Sequence, residues 1–170
     1  WELGVQELNL SLQEKLNPRG DLIVPGFPFR RGDKVIQNAN NYDLNVYNGD
    51  VGRIMGVHPE TRQIQIKFGR QVVFYDATNL DELDLAYAIT IHKSQGSEYP
   101  AVIVVMHTTH YIMLKRNLVY TGVTRGKKLV VIVGNRRGLM TAIRSSSETE
   151  RMTALGHWLM RPPEKEDLFG

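Results

Sequence analysis

Between Thr90 and Pro100 this chain gathers Thr90, His92, Lys93, Ser94, Gln95 and Glu98 around a single glycine, Gly96. Hydroxyl, imidazole, ammonium, amide and carboxylate groups in one short turn suit a ligand, because packing alone has no use for so many polar ends. A purely structural loop is the alternative. The second candidate is Arg125, which closes the run Asn117-Leu-Val-Tyr-Thr-Gly-Val-Thr-Arg125. A guanidinium fixed at a domain edge offers planar, permanently charged donors and suits a phosphate clamp. Arg125, Lys127 and Lys128 could instead favour the dipole at a helix carboxyl end. That account fits the two lysines better than it fits the arginine.

Charge is unevenly placed around these candidates. The net charge is only +3, yet no Asp or Glu occurs between Glu98 and Glu148, where Lys115, Arg116, Arg125, Lys127, Lys128, Arg136, Arg137 and Arg144 lie. A one-signed stretch points to phosphates, of a nucleotide or a nucleic acid, or to an ordinary solvated face. Asp76, Asp81, Glu82 and Asp84 cluster with no base among them. Asp81-Glu82 is not preceded by a buried apolar strand and reads as an exposed turn rather than a magnesium-binding pair. No phosphate-cradling G-x-x-x-x-G-K-[ST] is present, since Gly126-Lys127 has Thr121 ahead of it and Lys128 behind it. His107 and His110 lack a third ligand at a useful spacing, and the chain has no cysteine, so a structural role is expected for them.

The elements that position these groups follow from periodicity. Val5, Leu8, Leu12 and Leu16 recur at helical spacing, and Asn17-Pro18 stops that helix. From Arg31 to Tyr75 the period becomes two: Lys34–Gln37, Val51–Val57, Ile64–Phe68 and Val72–Tyr75 are separated by Asn-Gly, His-Pro-Glu and Gly-Arg turns. That reads as a small antiparallel barrel or meander. Tyr42, Tyr47, Phe68, Phe74 and Tyr75 are mixed there with Arg53, Lys67 and Arg70, a mixture suited to single-strand binding, with most of the rings needed for the core. Leu85–Thr90, Ala101–Val105 and Leu129–Val133 follow as apolar strand candidates, the last two continuous as in strands buried on both faces. A helix over 114–125 lies between them, so the grammar is βαβ, and ligands are expected at the carboxyl ends of the strands. A surface helix is expected over 137–151 and a frayed tail over 161–170; Trp158 with Leu155 and Leu159 reads as a helix packing face rather than a base-stacking platform. No apolar run approaches the ~20 residues that span a bilayer. The absence of cysteine suits a reducing, cytoplasmic setting, and the start at Trp1 reads as a piece of a longer polypeptide.

His92-Lys-Ser-Gln-Gly-Ser-Glu-Tyr-Pro100 and Tyr120-Thr-Gly-Val-Thr-Arg-Gly-Lys-Lys128 resemble motifs V and VI of superfamily 1 DNA helicases, in the flavour of the RecD-like, exodeoxyribonuclease V alpha-chain family. Leu8-Asn9, Leu12-Gln13, Leu16-Asn-Pro18, Gly32–Gln37, Asn40–Asp43, Asn48–Gly52 and Asp81–Leu83 add to the likeness, which covers about residues 4–155. The resemblance implies an α/β fold: a RecA-like second motor domain (1–30 and 80–160) with an inserted SH3-like barrel (31–79). It also implies the carboxyl-terminal half of an ATP-dependent 5′–3′ DNA helicase, inactive in hydrolysis without its other half. Glu98 would bind the ribose hydroxyls, Gly96 would line the phosphate side, and Arg125 would be the arginine finger. Thr90, His92 and, more weakly, Lys93 would contact single-stranded DNA. The implied cofactor is ATP with magnesium, the metal held by the missing amino-terminal RecA-like domain. The implied partners are that domain, single-stranded DNA and the subunits of a nuclease–helicase complex, with no membrane. Gly122 and Gly126 depart from relatives that often carry alanine. Other readings are a nucleic-acid-binding adaptor without motor activity, or the motor half of a relaxase or Pif1-like helicase.

Overall fold

Asn17 and Pro18 end the first helix as their types require. In the computed structural model, which describes residues 4–21, 25–107 and 115–145, α1 spans Val5–Leu16 and the Asn17 N–H closes on the Gln13 carbonyl at 2.8 Å. Its buried face is not the expected apolar stripe. Asn9 and Gln13 are the buried residues, Leu8 and Leu12 are half-buried, and Val5 and Leu16 are exposed. The amides win that face because they meet backbone groups and a carboxylate that need partners.

The period-two segment forms the expected strands: β1 (Lys34–Gln37), β2 (Val51–Val57), β3 (Ile64–Phe68) and β4 (Gln71–Tyr75). A 3-10 helix, Ala77–Glu82, then leads into β5 (Leu83–Leu85). The antiparallel sheet runs β4-β3-β2-β1-β5, with Val35 opposite Leu85 closing the last pair. Alternate residues point inward, so Val35, Ile54, Ile64, Ile66, Val73 and Tyr75 fill the core with Phe29, Val46, Leu80, Leu83 and Leu85. The expected strand Leu85–Thr90 is therefore corrected: its first residue ends a barrel strand, and residues 86–90 are irregular. Asp81 is exposed as expected. Glu82 is half-buried and accepts from Gln37 Nε2 at 2.6 Å and Asn41 Nδ2 at 3.1 Å, which ties β1 to the 3-10 helix.

The βαβ unit is present as β6 (Tyr99–Met106), α2 (Arg116–Val123) and β7 (Gly126–Gly134), with β6 and β7 parallel. α3 (Arg136–Arg144) follows, its first turn capped by the Asn135 side chain, which accepts from the Gly138 N–H at 2.6 Å. One face of this pair packs on the helices through Val102, Val104, Met106 and Val130 with Val119, Leu139 and Ala142. The other face is open: Ile103 and Leu129 are 68% and 56% exposed, against the expectation of burial on both sides. Continuous apolar composition alone does not fix two-sided burial, and among the described residues only one face is covered. The end of the helix expected over 137–151, Trp158, His110 and the tail fall outside the described residues.

Candidate functional site

The turn after residue 90 is built from local hydrogen bonds. Thr90 Oγ1 accepts from the Lys93 N–H at 3.2 Å, and the Thr90 and Ile91 carbonyls share the Ser94 N–H at 3.2 Å each. Ser94 is buried and its hydroxyl donates to the Ile91 carbonyl at 2.7 Å. Ile91 is the apolar anchor, packed into the cluster beneath β6 and against α2 at Gly122. Gly96 reverses the chain with φ +79°, in the left-handed region that disfavours a side chain. The turn thus presents Gly96 and Glu98 outward while its apolar side holds it to the domain.

Arg125 docks onto that turn from the link between α2 and β7. Its Nη1 donates to the Ser97 carbonyl at 3.1 Å and its Nε to the Thr121 carbonyl at 3.2 Å, while its own carbonyl accepts from the Tyr99 N–H at 2.8 Å. Gly96, Glu98 and Arg125 therefore share one edge. That edge is the amino end of β6 and β7, not the carboxyl end expected from strand order. The reason is the missing strand at 86–90, which leaves the turn opening β6 rather than closing a strand before it.

Lys127 was not singled out for this site by its sequence position, yet it reaches Glu98 with Nζ 2.6 Å from Oε2. Pairing runs Tyr99 to Gly126 and then Ala101 to Leu129, so β7 carries one extra residue there, a bulge beside the site. The hydrogen bond and charge of Lys127, helped by Arg125, hold the Glu98 carboxyl below its usual range. The overlooked signal is spacing: Arg125 and Lys127 lie two apart where a strand begins.

Lys93 is held on the barrel side: its Nζ donates to Asn38 Oδ1 at 2.7 Å and pairs with Asp84 Oδ2 at 3.1 Å. Thr90 and His92 are exposed near it. Of the barrel aromatics, Tyr42, Tyr47 and Phe74 are exposed, while Phe68 and Tyr75 serve the core. Among the described residues no group of acidic and histidine side chains could hold a metal ion.

Comparison with known proteins follows the two halves of this layout. Residues 8–68 match the ATP-dependent RecD-like DNA helicase SH3 domain, and residues 85–133 match the UvrD-like helicase C-terminal domain. The ATP-dependent RecD2 DNA helicase of Deinococcus radiodurans is 36% identical over 154 residues, 90% of this chain and 21% of that protein. Both parts of the chain are thus similar to RecD-like helicases. The RecBCD enzyme subunit RecD of Mycobacterium tuberculosis is 35% identical over 119 residues, 70% of this chain and 20% of the relative. This RecD-like chain thus spans about a fifth of the length of the curated relatives it matches. A crystal structure of Bacteroides Pif1 bound to ssDNA superposes with TM-score 0.51 and 19% identity over 78% of this chain and 38% of that one, a likeness of fold. Among the described residues no helix is long and apolar enough to cross a membrane.

Proposed function

We propose that this chain is the carboxyl-terminal half of the motor of an ATP-dependent 5′–3′ DNA helicase. The observation that supports it best is the meeting of Gly96, Glu98 and Arg125 on one edge of the parallel pair. ATP with magnesium would supply the phosphoanhydride whose cleavage drives the motor, its metal held by the amino-terminal RecA-like half. Glu98 would exchange Lys127 for the ribose hydroxyls, its carboxylate accepting from them. Arg125 would turn from the Ser97 carbonyl toward the terminal phosphate, where a charged planar donor offsets developing negative charge. Thr90 and His92 would touch the single strand, and Lys93, held by Asn38 and Asp84, would brace their turn against the barrel. Subunits of a nuclease–helicase complex are partners by analogy with the RecBCD relatives.

The test is DNA-stimulated ATP hydrolysis by the parent polypeptide. Arg125→Ala is expected to lower turnover by ~10³–10⁵ with DNA binding retained. Turnover within a few-fold of the unaltered protein would remove Arg125 from the finger role and bring forward the adaptor reading.

A further inference from the structure

The outward face of the barrel carries a charge arrangement that a stable fold alone would avoid. Lys34 lies directly opposite Arg53, and Arg53 directly opposite Lys67, on three adjacent strands. All three are exposed. Like charges directly opposite in an antiparallel pair repel and cost stability. The ion pairs recorded among the described residues are Arg30–Glu14, Lys93–Asp84 and Lys127–Glu98, and none relieves this row. Asp84, the acid of β5, is already held by Lys93.

The row does not end in charge. Lys67 is opposite Val72 on the edge strand, and the next outward position of that strand is Phe74, across from Gln65. Val72 and Phe74 are 46% and 42% exposed, and Met55, at the bulge in β2, is 43% exposed. Arg31 extends the positive face, its Nε lying 3.7 Å from where a Cβ on Gly56 would stand. Asp21 lines the same shallow cleft as Arg31 and Gln65. A line of cations with exposed apolar and aromatic groups at one end matches what a single strand offers: regularly spaced phosphates and unstacked bases with free faces.

We infer that this outward face, with Lys34, Arg53 and Lys67 as phosphate contacts and Phe74 as a base-stacking neighbour, is a second single-strand-binding surface, separate from the Thr90–His92 turn. The inference rests on the helicase reading and names where else the strand is held. The row then persists despite its repulsion because phosphates neutralise it, and neutralising it by mutation should relieve the fold while weakening the ligand.

Fluorescence anisotropy of an oligothymidylate with the parent polypeptide, across a salt series, tests this. A triple variant, Lys34→Gln, Arg53→Gln and Lys67→Gln, is expected to flatten the log–log salt slope by about 2, since each lost single-strand contact removes ~0.7. Its melting temperature should stay level or rise. Lys67→Gln alone should remove about a third of the change, which guards against a fold effect of the triple variant. An unchanged slope in both variants overturns the second surface and leaves the motor reading standing. No binding by the unaltered parent would overturn both. Equal competition by a blunt duplex would overturn the single-strand assignment, as would Phe74→Ala binding as tightly as the unaltered protein.

Discussion

Glu98 and Lys127 illustrate how a site is shaped by what is one bond away from it. The carboxylate is exposed, so burial does little to its titration; the 2.6 Å contact with Lys127 is what lowers it. A lowered folded value means that the pair favours the fold above the ordinary glutamate range, and that this contribution fades as pH falls through the folded value. Titration of the Glu98 carboxyl by NMR should place its midpoint below that of an exposed glutamate. Lys127→Met should move it back up. A midpoint indifferent to Lys127 would mean that the pair is not kept in solution. Gly96 belongs to the same scale: with φ +79° and open space around it, Gly96→Ala meets backbone strain rather than a clash, costing roughly 1–2 kcal/mol. A urea titration that shows no loss would mean that the turn is free to rearrange.

At the level of elements, α1 shows both the reach and the limit of pattern. Val5, Leu8, Leu12 and Leu16 correctly located a helix, because any sequence with that spacing is helical in period. The burial they implied was wrong, because Asn9, Gln13 and Asn17 share a second stripe and find stronger obligations. Asn9 both donates to and accepts from the Ala88 backbone, at 2.9 and 2.8 Å. Gln13 and Asn17 donate to the buried Asp33 carboxylate at 2.5 and 2.7 Å, and the Tyr87 hydroxyl donates to it at 2.8 Å. Such partners are far apart in sequence and leave no periodic trace. Asn9→Ala would strand two backbone groups and is expected to destabilise by about 1–3 kcal/mol in denaturant unfolding. Burial and Asp33 push the Tyr87 hydroxyl up to about 12, so its contribution is complete below the ordinary tyrosine value near 10 and lost as pH rises between the two. Tyr87→Phe should flatten stability over that alkaline interval. On α2, Gly122→Ala gains up to ~1 kcal/mol of helix propensity. Its new Cβ would sit 3.3 Å from Cδ1, the terminal methyl of Ile91, which need give by only a few tenths of an ångström, so a small net stabilisation is expected.

Across the whole molecule the two halves differ in how much of themselves they cover. Among the described residues the barrel core holds eleven buried side chains, while the cluster under β6 and β7 holds Val104, Met106 and Ala142. The barrel was legible in the sequence because alternation and turns are local. The parallel pair was legible too, as continuous apolar runs, but its one open face was not, since what covers a strand leaves no trace in the strand's own residues. The halves are joined by the Asn9–Ala88 pair and by Lys93 with Asn38 and Asp84. Opening free energy follows buried apolar contact, so amide exchange should divide along this line. Amides of β1–β4 are expected to exchange slowly in the parent polypeptide and in a separately prepared 170-residue chain alike. Those of β6 and β7, with Ile103, Val105, Leu129, Val131 and Val133 exposed on one face, should exchange markedly faster in the shorter chain. Protection gained only by β6 and β7 in the parent would identify the open face as the surface on which the rest of the motor closes. Equal protection in both would mean that the chain covers that face by itself.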